Sequence, residues 1–321
     1  MKHKTFALMM LGTCCIGGGA FAQTYPVKPV KVIVPSSPGG STDIVGRAVS
    51  QKLSESLGQQ FIVENRAGAG TMIGNEFVAK AAPDGYTLLM GVSTLAIIPS
   101  MYAKVRYDAL KDLAPISLAV TVPNVLVVHP SFPATTVKEL ISVGKARPDQ
   151  LIAGSAGMGT SPHLSLELFR LLAGLKFQHV PYKGSGMAVI GLMSGEVALM
   201  FAALPTAMPH IRSKRMRPLG VTTAMRSQSM PELPSIAEAG LKGYEATQWF
   251  GMLAPAGTPR PIIDMLHKEV TTALRSPDVG KFLVNEGAEV VANTPEQFGE
   301  YLRSETEKWS RVIKSAGIKP Q

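Results

Sequence analysis

A strand that ends in a glycine- and hydroxyl-rich loop and restarts as a helix is the feature that most limits this chain, and it occurs twice. PSSPGGSTD, residues 35–43, follows the β-branched run Val30, Val32, Ile33 and Val34; SAGMGTSPH, residues 155–163, follows Leu151, Ile152 and Ala153. A helix start carries N–H groups with no intrahelical acceptor and a partial positive charge, so each loop is a natural anion site. Two such sites suggest a clamp on a small carboxylate.

Strand-like and helix-like segments alternate along most of the chain, which predicts an α/β fold with largely parallel sheets. Strands are expected at 30–34, 61–64 and 86–91, with helices starting near Ser41 and Thr71. The first of these helices repeats Ile44, Val45, Ala48, Val49 and Leu53 on one side. Its Ser41 and Thr42 offer N-caps, and Asp43 falls in the first turn, where negative charge complements the dipole. PISLAVTVPNVLVVH, residues 115–129, reads as strands broken at Pro123 and Asn124 and as a crossing between domains. A second alternation follows, with strands at 151–153, 177–180, 197–201 and 219–222 and helices starting near Val137, Ser161, Gly186 and Pro205. Residues 244–255 fit a return crossing, and the tail carries helices over 261–274 and 295–315. On the last, Phe298, Tyr301, Leu302, Trp309, Val312 and Ile313 form an apolar face suited to packing against a domain rather than a partner. The stretch 93–99 reads as a loop after the third strand.

The N-terminus has the pattern of an export signal: Lys2 and Lys4, an apolar stretch, then Ala20-Phe21-Ala22 before Gln23. Residues 1–22 are therefore assigned to a signal peptide cleaved before Gln23, and the mature chain to the periplasm. Thr13 ahead of Cys14 argues against a lipoprotein. Cys14 and Cys15 are the only cysteines, so the mature chain has no disulfide, thiolate nucleophile or cysteine metal site. Net charge is +9 over the full chain and +7 without the signal, since Lys2 and Lys4 leave with it and no acid does. The one dense basic patch, Arg212, Lys214, Arg215 and Arg217, lacks interleaved aromatic residues, so it reads as a solvated helix end and nucleic acid is not expected.

Motifs of bound cofactors and catalysis are weak. Gly68-Ala69-Gly70-Thr71-Met72-Ile73-Gly74 imitates a dinucleotide loop but has the wrong spacing and no acid at the end of a second strand. The 155–160 loop lacks a P-loop lysine, no G-x-S-x-G elbow occurs, and the histidines show no metal-ligand spacing. Tyr182-Lys183-Gly184 places a tyrosine and lysine side by side in a strand-exit turn rather than along a helix face, which is a structural reading. Asp43 is a loop-ordering group rather than a general base, and His163 either steadies the second loop or reaches a ligand. No cofactor and no metal are expected, and no enzyme.

Seven segments in order resemble one family over essentially the whole mature length. They include YPVKPVKVIVPSSPGGSTDIVGR, VENRAGAGTMIGNEFVAKAAPDGYTLLMG, AGSAGMGTSPHLSLELF, HVPYKGSGMAVIGLMSGEVALMF and WFGMLAPAGTP. The chain resembles the substrate-binding receptors of tripartite tricarboxylate transporters, the Bug-type receptors. That resemblance implies a type II periplasmic-binding-protein fold, two α/β lobes joined by crossing strands with the ligand cleft between them. The first lobe would comprise 23–120 and 248–321, and the second 121–247. It further implies that a carboxylate is held by Ser36, Ser37, Gly39, Gly40, Ser41 and Thr42 of the first loop, and by Ser155, Gly159, Thr160 and Ser161 of the second, with His163 a candidate ligand-binding residue beside them. Ser93, Thr94 and Ala202 would complete the site. The partners implied are a small carboxylate and the membrane components of the transporter, with the receptor a monomer.

The chain departs from that family at Ala202-Ala203, where MFDNLP is common, at Ser36, where an aromatic residue is common, and at Leu95 and Ile98, where histidine and asparagine are frequent. A pocket lined this way has lost an anion and an amide, and an ammonium entering it would be desolvated without a counter-charge. An aromatic or aliphatic mono- or dicarboxylate is favoured over an amino acid. Two other classes share the cleft: a receptor that presents its ligand to a membrane sensor kinase, and a secreted enzyme, which the lack of a nucleophile–base set disfavours.

Overall fold

The computed structural model describes residues 25–182, 184–285 and 287–320; the export signal with its cleavage site, and Lys183, lie outside the described residues. The chain begins β1 (Val30–Val34), α1 (Ser41–Leu57), β2 (Phe61–Asn65), α2 (Met72–Ala79), β3 (Thr87–Val92), α3 (Thr94–Met101) and β4 (Leu113–Val122). Pro123 alone separates β4 from β5 (Asn124–Val128), and the elements α4 (Val137–Ala146), β6 (Ile152–Ser155), α5 (Ser161–Ala173) and β7 (Gln178–Pro181) come next. They are followed by α6 (Ser185–Met193), β8 (Leu199–Ala203), α7 (Leu204–Arg212) and β9 (Arg217–Val221). The chain then returns through β10 (Gln248–Pro255) to α8 (Arg260–Arg275), α9 (Pro277–Asn285), β11 (Glu289–Val290) and α10 (Pro295–Ser315).

These strands form two sheets, ordered β11-β4-β10-β3-β1-β2 and β7-β6-β8-β5-β9. The 115–129 run is the expected crossing: β4 lies in the first sheet and β5 in the second. The expectation of largely parallel sheets needs correction, because both sheets are mixed. β1 pairs parallel with β2 and β3, and β6 with β7 and β8. β10 runs antiparallel to β3 and β4, and β5 antiparallel to β8 and β9. A strand that follows a helix on its own sheet re-enters from the same end as its predecessor. β5 and β10 instead arrive from the other sheet and so run the opposite way.

Local chemistry sets several boundaries. α10 opens with a capping box in which the Thr294 hydroxyl accepts from the Gln297 amide and the Gln297 side chain accepts from the Thr294 amide, with Pro295 at the first helical position. α1 ends at Gly58, whose φ of 66° returns the chain and whose N–H caps Ser54 O. α3 corrects the loop reading of 93–99: it forms despite Pro99 because Leu95, Ala96, Ile97, Ile98 and Met101 are all buried, and packing overrides propensity. Arg217 is no solvated residue either; its guanidinium donates to the carbonyls of Pro130, Phe132 and Ala134 and pins that loop.

The apolar face of α10 lies over both α3 and α5. Phe298 and Trp309 join Trp249 of β10, Phe169 of α5 and Phe201 of β8 in one continuous core. Trp249 meets Phe298 edge-on at 5.6 Å and Tyr301 at 6.1 Å. At Gly251 a Cβ would fall into the Phe298 ring, so this strand position is closed to any side chain.

Candidate functional site

The first loop, between β1 and α1, turns at Gly39, whose φ is 81°. Gly40 is the N-cap and no side chain caps the helix, so Ser41 and Thr42 are not the caps expected of them. Order comes from Asp43. Its Oδ2 accepts from Gly39 N at 2.9 Å and from Arg47 Nε at 3.0 Å. Its Oδ1 accepts from Asn65 Nδ2 at 2.9 Å, and the same amide reaches Ser36 O at 3.0 Å. Burial works to raise the Asp43 pKa, but hydrogen bonds from Arg47, Gly39 and Asn65 with the Arg47 charge outweigh it and hold the carboxyl below its usual range. A carboxylate so engaged is a brace for the loop, as its first-turn position suggests.

The second loop, between β6 and α5, turns at Gly157 and Gly159, with φ of 130° and 74°. Thr160 caps α5 through the His163 amide and donates its hydroxyl to Gly157 O at 2.7 Å. Beneath the loop, Ser155 Oγ lies 2.7 Å from His179 Nε2, and His179 stacks on His163 with ring centroids 4.5 Å apart. His163 Nδ1 accepts the Gly159 N–H at 3.1 Å, which fixes that nitrogen as unprotonated. Burial first, then the neighbouring His179 and Arg170, push the His163 pKa down to about 4.

A pH prediction follows from this. The folded value near 4 lies below the 6.5 of a free imidazole, so the unfolded chain takes up the proton first. The His163 contribution is complete above about 6.5 and is lost as pH falls toward 4, amounting to at most about 3 kcal/mol. Thermal melts through that window should fall more steeply for the native protein than for His163→Asn. Parallel curves would show that burial does not hold the His163 pKa below its free value in the folded protein.

The two loops meet. Pro35, Ser36 and Ser37 face Met158, Gly159 and Thr160 across a cavity of about 410 Å³. The remaining wall comes from Ala67, Gly68, Gly70 and Thr71 before α2, and from Thr94, Ile97, Ile98, Met101 and Tyr102 of α3 and its end. No charged side chain lines this cavity among the described residues. Ser36 Oγ is buried there without a hydrogen-bond partner among the described residues.

Of the residues singled out from sequence, Ser36, Ser37, Thr94, Gly159 and Thr160 line the cavity. Gly39, Gly40 and Ser41 lie exposed along the first loop, and Thr42 is buried behind it. Ser93 is buried with its N–H on Trp249 O, Ser155 and His163 sit under the second loop, and Ser161 Oγ accepts from Asn124 Nδ2. Ala202 is 1% exposed and packs with Val125 and Val189 in the core of the second sheet, not in the cavity. Ile98 lines the cavity, whereas Leu95 is fully buried in the core. Sequence reasoning missed Thr71, Ile97, Met101, Tyr102 and Met158; only Met158, set between two loop glycines, carried a local signal. Tyr182 lies over Gly191, where any Cβ would strike its ring, in keeping with a structural role.

Comparison with known proteins agrees with this architecture. BugT of Bordetella pertussis is 39% identical over 313 residues, covering 97% of this chain and 96% of that protein. The structure of R. palustris Rpa4515 with adipate is 38% identical, covers 92% of this chain and all of that one, and superposes with a TM-score of 0.77. MatC from Rhodopseudomonas palustris with bound malate is 32% identical over 90% of this chain and all of its own, with a TM-score of 0.72. These likenesses establish the two-lobe α/β periplasmic-binding-protein fold. Residues 45–318 match the family described as "Tripartite tricarboxylate transporter family receptor" (TctC), and the chain belongs to that family of substrate-binding receptors.

Proposed function

We propose that this protein is a periplasmic receptor that captures a small carboxylate between two lobes and delivers it to the membrane components of a tripartite tricarboxylate transporter, without transforming it. The observation that carries this reading is the meeting of two glycine-rich helix-opening loops, one from each sheet, at a single cavity. Backbone amides, hydroxyls and helix starts can hold an anion there without a cationic side chain. The lobes would be 23–120 with 248–321, and 121–247, and the receptor would act as a monomer. Closure would be a population shift driven by ligand contacts to both lobes. The relatives solved with adipate and malate support a carboxylate as the ligand.

The wall formed by Ile97, Ile98, Met101 and Met158 favours a carboxylate with an apolar body, whose burial contributes about 25 cal/mol per Å². An amino acid is disfavoured, because no carboxylate among the described residues lines the cavity to take its ammonium. Thermal shift against aliphatic, aromatic and amino-acid carboxylates tests this. A ligand at 100 times its Kd should add about 2.7 kcal/mol of stability, several degrees in Tm. A shift with aspartate or glutamate and none with adipate or terephthalate would overturn the apolar-body assignment. For export, mass spectrometry of periplasmic protein should find a chain that starts at Gln23.

A further inference from the structure

The cavity wall away from the two loops is strained. Residues 68–71 all carry positive φ, at 132°, 46°, 63° and 87°. For Thr71, a β-branched residue, that conformation is a steric outlier, and such strain persists only where surroundings over-determine it. Here a chain of side-chain hydrogen bonds does so. Asn75, fully buried on α2, places Nδ2 at 2.9 Å from Tyr107 OH and 3.1 Å from Thr71 Oγ1. Thr71 Oγ1 in turn lies 2.6 Å from Thr94 Oγ1. Thr71 and Thr94 line the cavity, and Asn75 stands behind them.

The chain has a fixed direction at its Asn75 end. An amide N–H only donates, and a hydroxyl has one hydrogen to give. Turning the Asn75 amide over would strand both of its N–H donors in the protein interior; as it stands, only Oδ1 is without a partner among the described residues. Thr71 Oγ1 therefore accepts from Asn75, and of the two threonine hydrogens one closes the Thr71–Thr94 bond while the other is spare. Both residues line the cavity, and when Thr71 is the donor the spare hydrogen is that of Thr94.

We propose that Thr94 presents this O–H to a second acceptor group on the ligand, the far carboxylate of a molecule whose first carboxylate lies on the 36–37 and 159–160 loops. Asn75 and Thr71 are positioning residues that set the direction of the donor. The inference rests on the carboxylate-receptor reading above and adds to it a specific selection for dicarboxylates over monocarboxylates of the same body. The strained turn before α2 is the structural cost of holding Thr71 where it can polarise Thr94.

The test is calorimetry with matched pairs, adipate against hexanoate and terephthalate against benzoate, on wild type, Thr94→Val, Thr94→Ser and Asn75→Leu, each checked by thermal melt. In the wild type the dicarboxylate of at least one pair should bind about tenfold tighter than its monocarboxylate, as expected for a hydrogen bond to a charged group. Thr94→Val should bring that ratio close to one. Thr94→Ser should preserve the ratio, and Asn75→Leu should lower it although the Thr94 hydroxyl remains. A wild-type ratio near one, or a preference that survives Thr94→Val, overturns the proposal and leaves the carboxylate reading standing. If Thr94→Val does not fold, an unchanged ratio in Asn75→Leu overturns the relay. No binding by any of the four acids overturns the carboxylate reading and this proposal together.

Discussion

Gly159→Ala is expected to weaken carboxylate binding by about a hundredfold, equivalent to about 2.7 kcal/mol, while leaving a folded protein. Two effects act at once. The φ of 74° is a region that an L-residue with a Cβ occupies at a penalty of roughly 1–2 kcal/mol, so the loop relaxes away from its present turn. The new Cβ also sits 3.1 Å from Met101 Cε, on the facing wall of the cavity. Either adjustment moves the Gly159 amide off His163 and changes the width of the gap. The two glycines of the first loop provide the controls. Gly39 shares the positive φ, but nothing lies within 4 Å of its Cβ, so strain alone acts there. Gly40 has φ −79° and a nearest neighbour, Ser37 O, at 3.6 Å, so alanine fits. Calorimetry should rank the losses Gly159 first, Gly39 second and Gly40 last. A Gly159→Ala protein that binds like the wild type would remove the second loop from the site.

Trp249→Ala should be the most destabilising single truncation, at about 3–5 kcal/mol. Its side chain is fully buried at the junction of β10 with α10, between the rings of Phe298 and Tyr301, and no small residue can fill that space. Trp249→Phe should cost far less. The indole Nε1–H is buried without an acceptor among the described residues, so phenylalanine gives up a group that is already unfavourable where it stands. Chemical denaturation should separate the two variants by at least about 2 kcal/mol. Similar losses in both would mean that indole size, not ring packing in general, sets the stability of the junction.

Elements with a local signature were legible in the sequence. β1 at 30–34, α10 at 295–315 and the start of α5 at Ser161 fall where β-branched runs, a Thr-Pro-x-Gln cap and a Thr-Ser-Pro start place them. The two loops were legible for the same reason, since each is written in consecutive residues. What sequence did not reveal depends on distant parts of the chain. α3 contains a proline and an all-round apolar surface, and only the cover of α10 makes a helix of it. The antiparallel entry of β5 and β10 is set by the two crossings rather than by their own residues. In the site, Thr71, Ile97, Met101 and Tyr102 belong to elements that face the loops only after folding. Ala202 carried no sign of which side of β8 it occupies, and alternation turned it toward the core.

The order of strands in the first sheet has a consequence for how the chain acquires its structure. β10 lies between β3 and β4, and pairs with both. Until residues 248–255 emerge, the β1-β2-β3 unit and β4 have no partner in common, and each presents an unpaired edge. The second sheet, by contrast, is complete within one unbroken stretch from Asn124 to Val221. A chain threaded out of a membrane pore from its N-terminus can therefore close its second sheet while the first, begun earlier, still waits. The segment that forms first is not the one that finishes first, and a polypeptide stopped short of residue 248 would carry one finished sheet, an open β3 edge and a β4 unpaired on both sides.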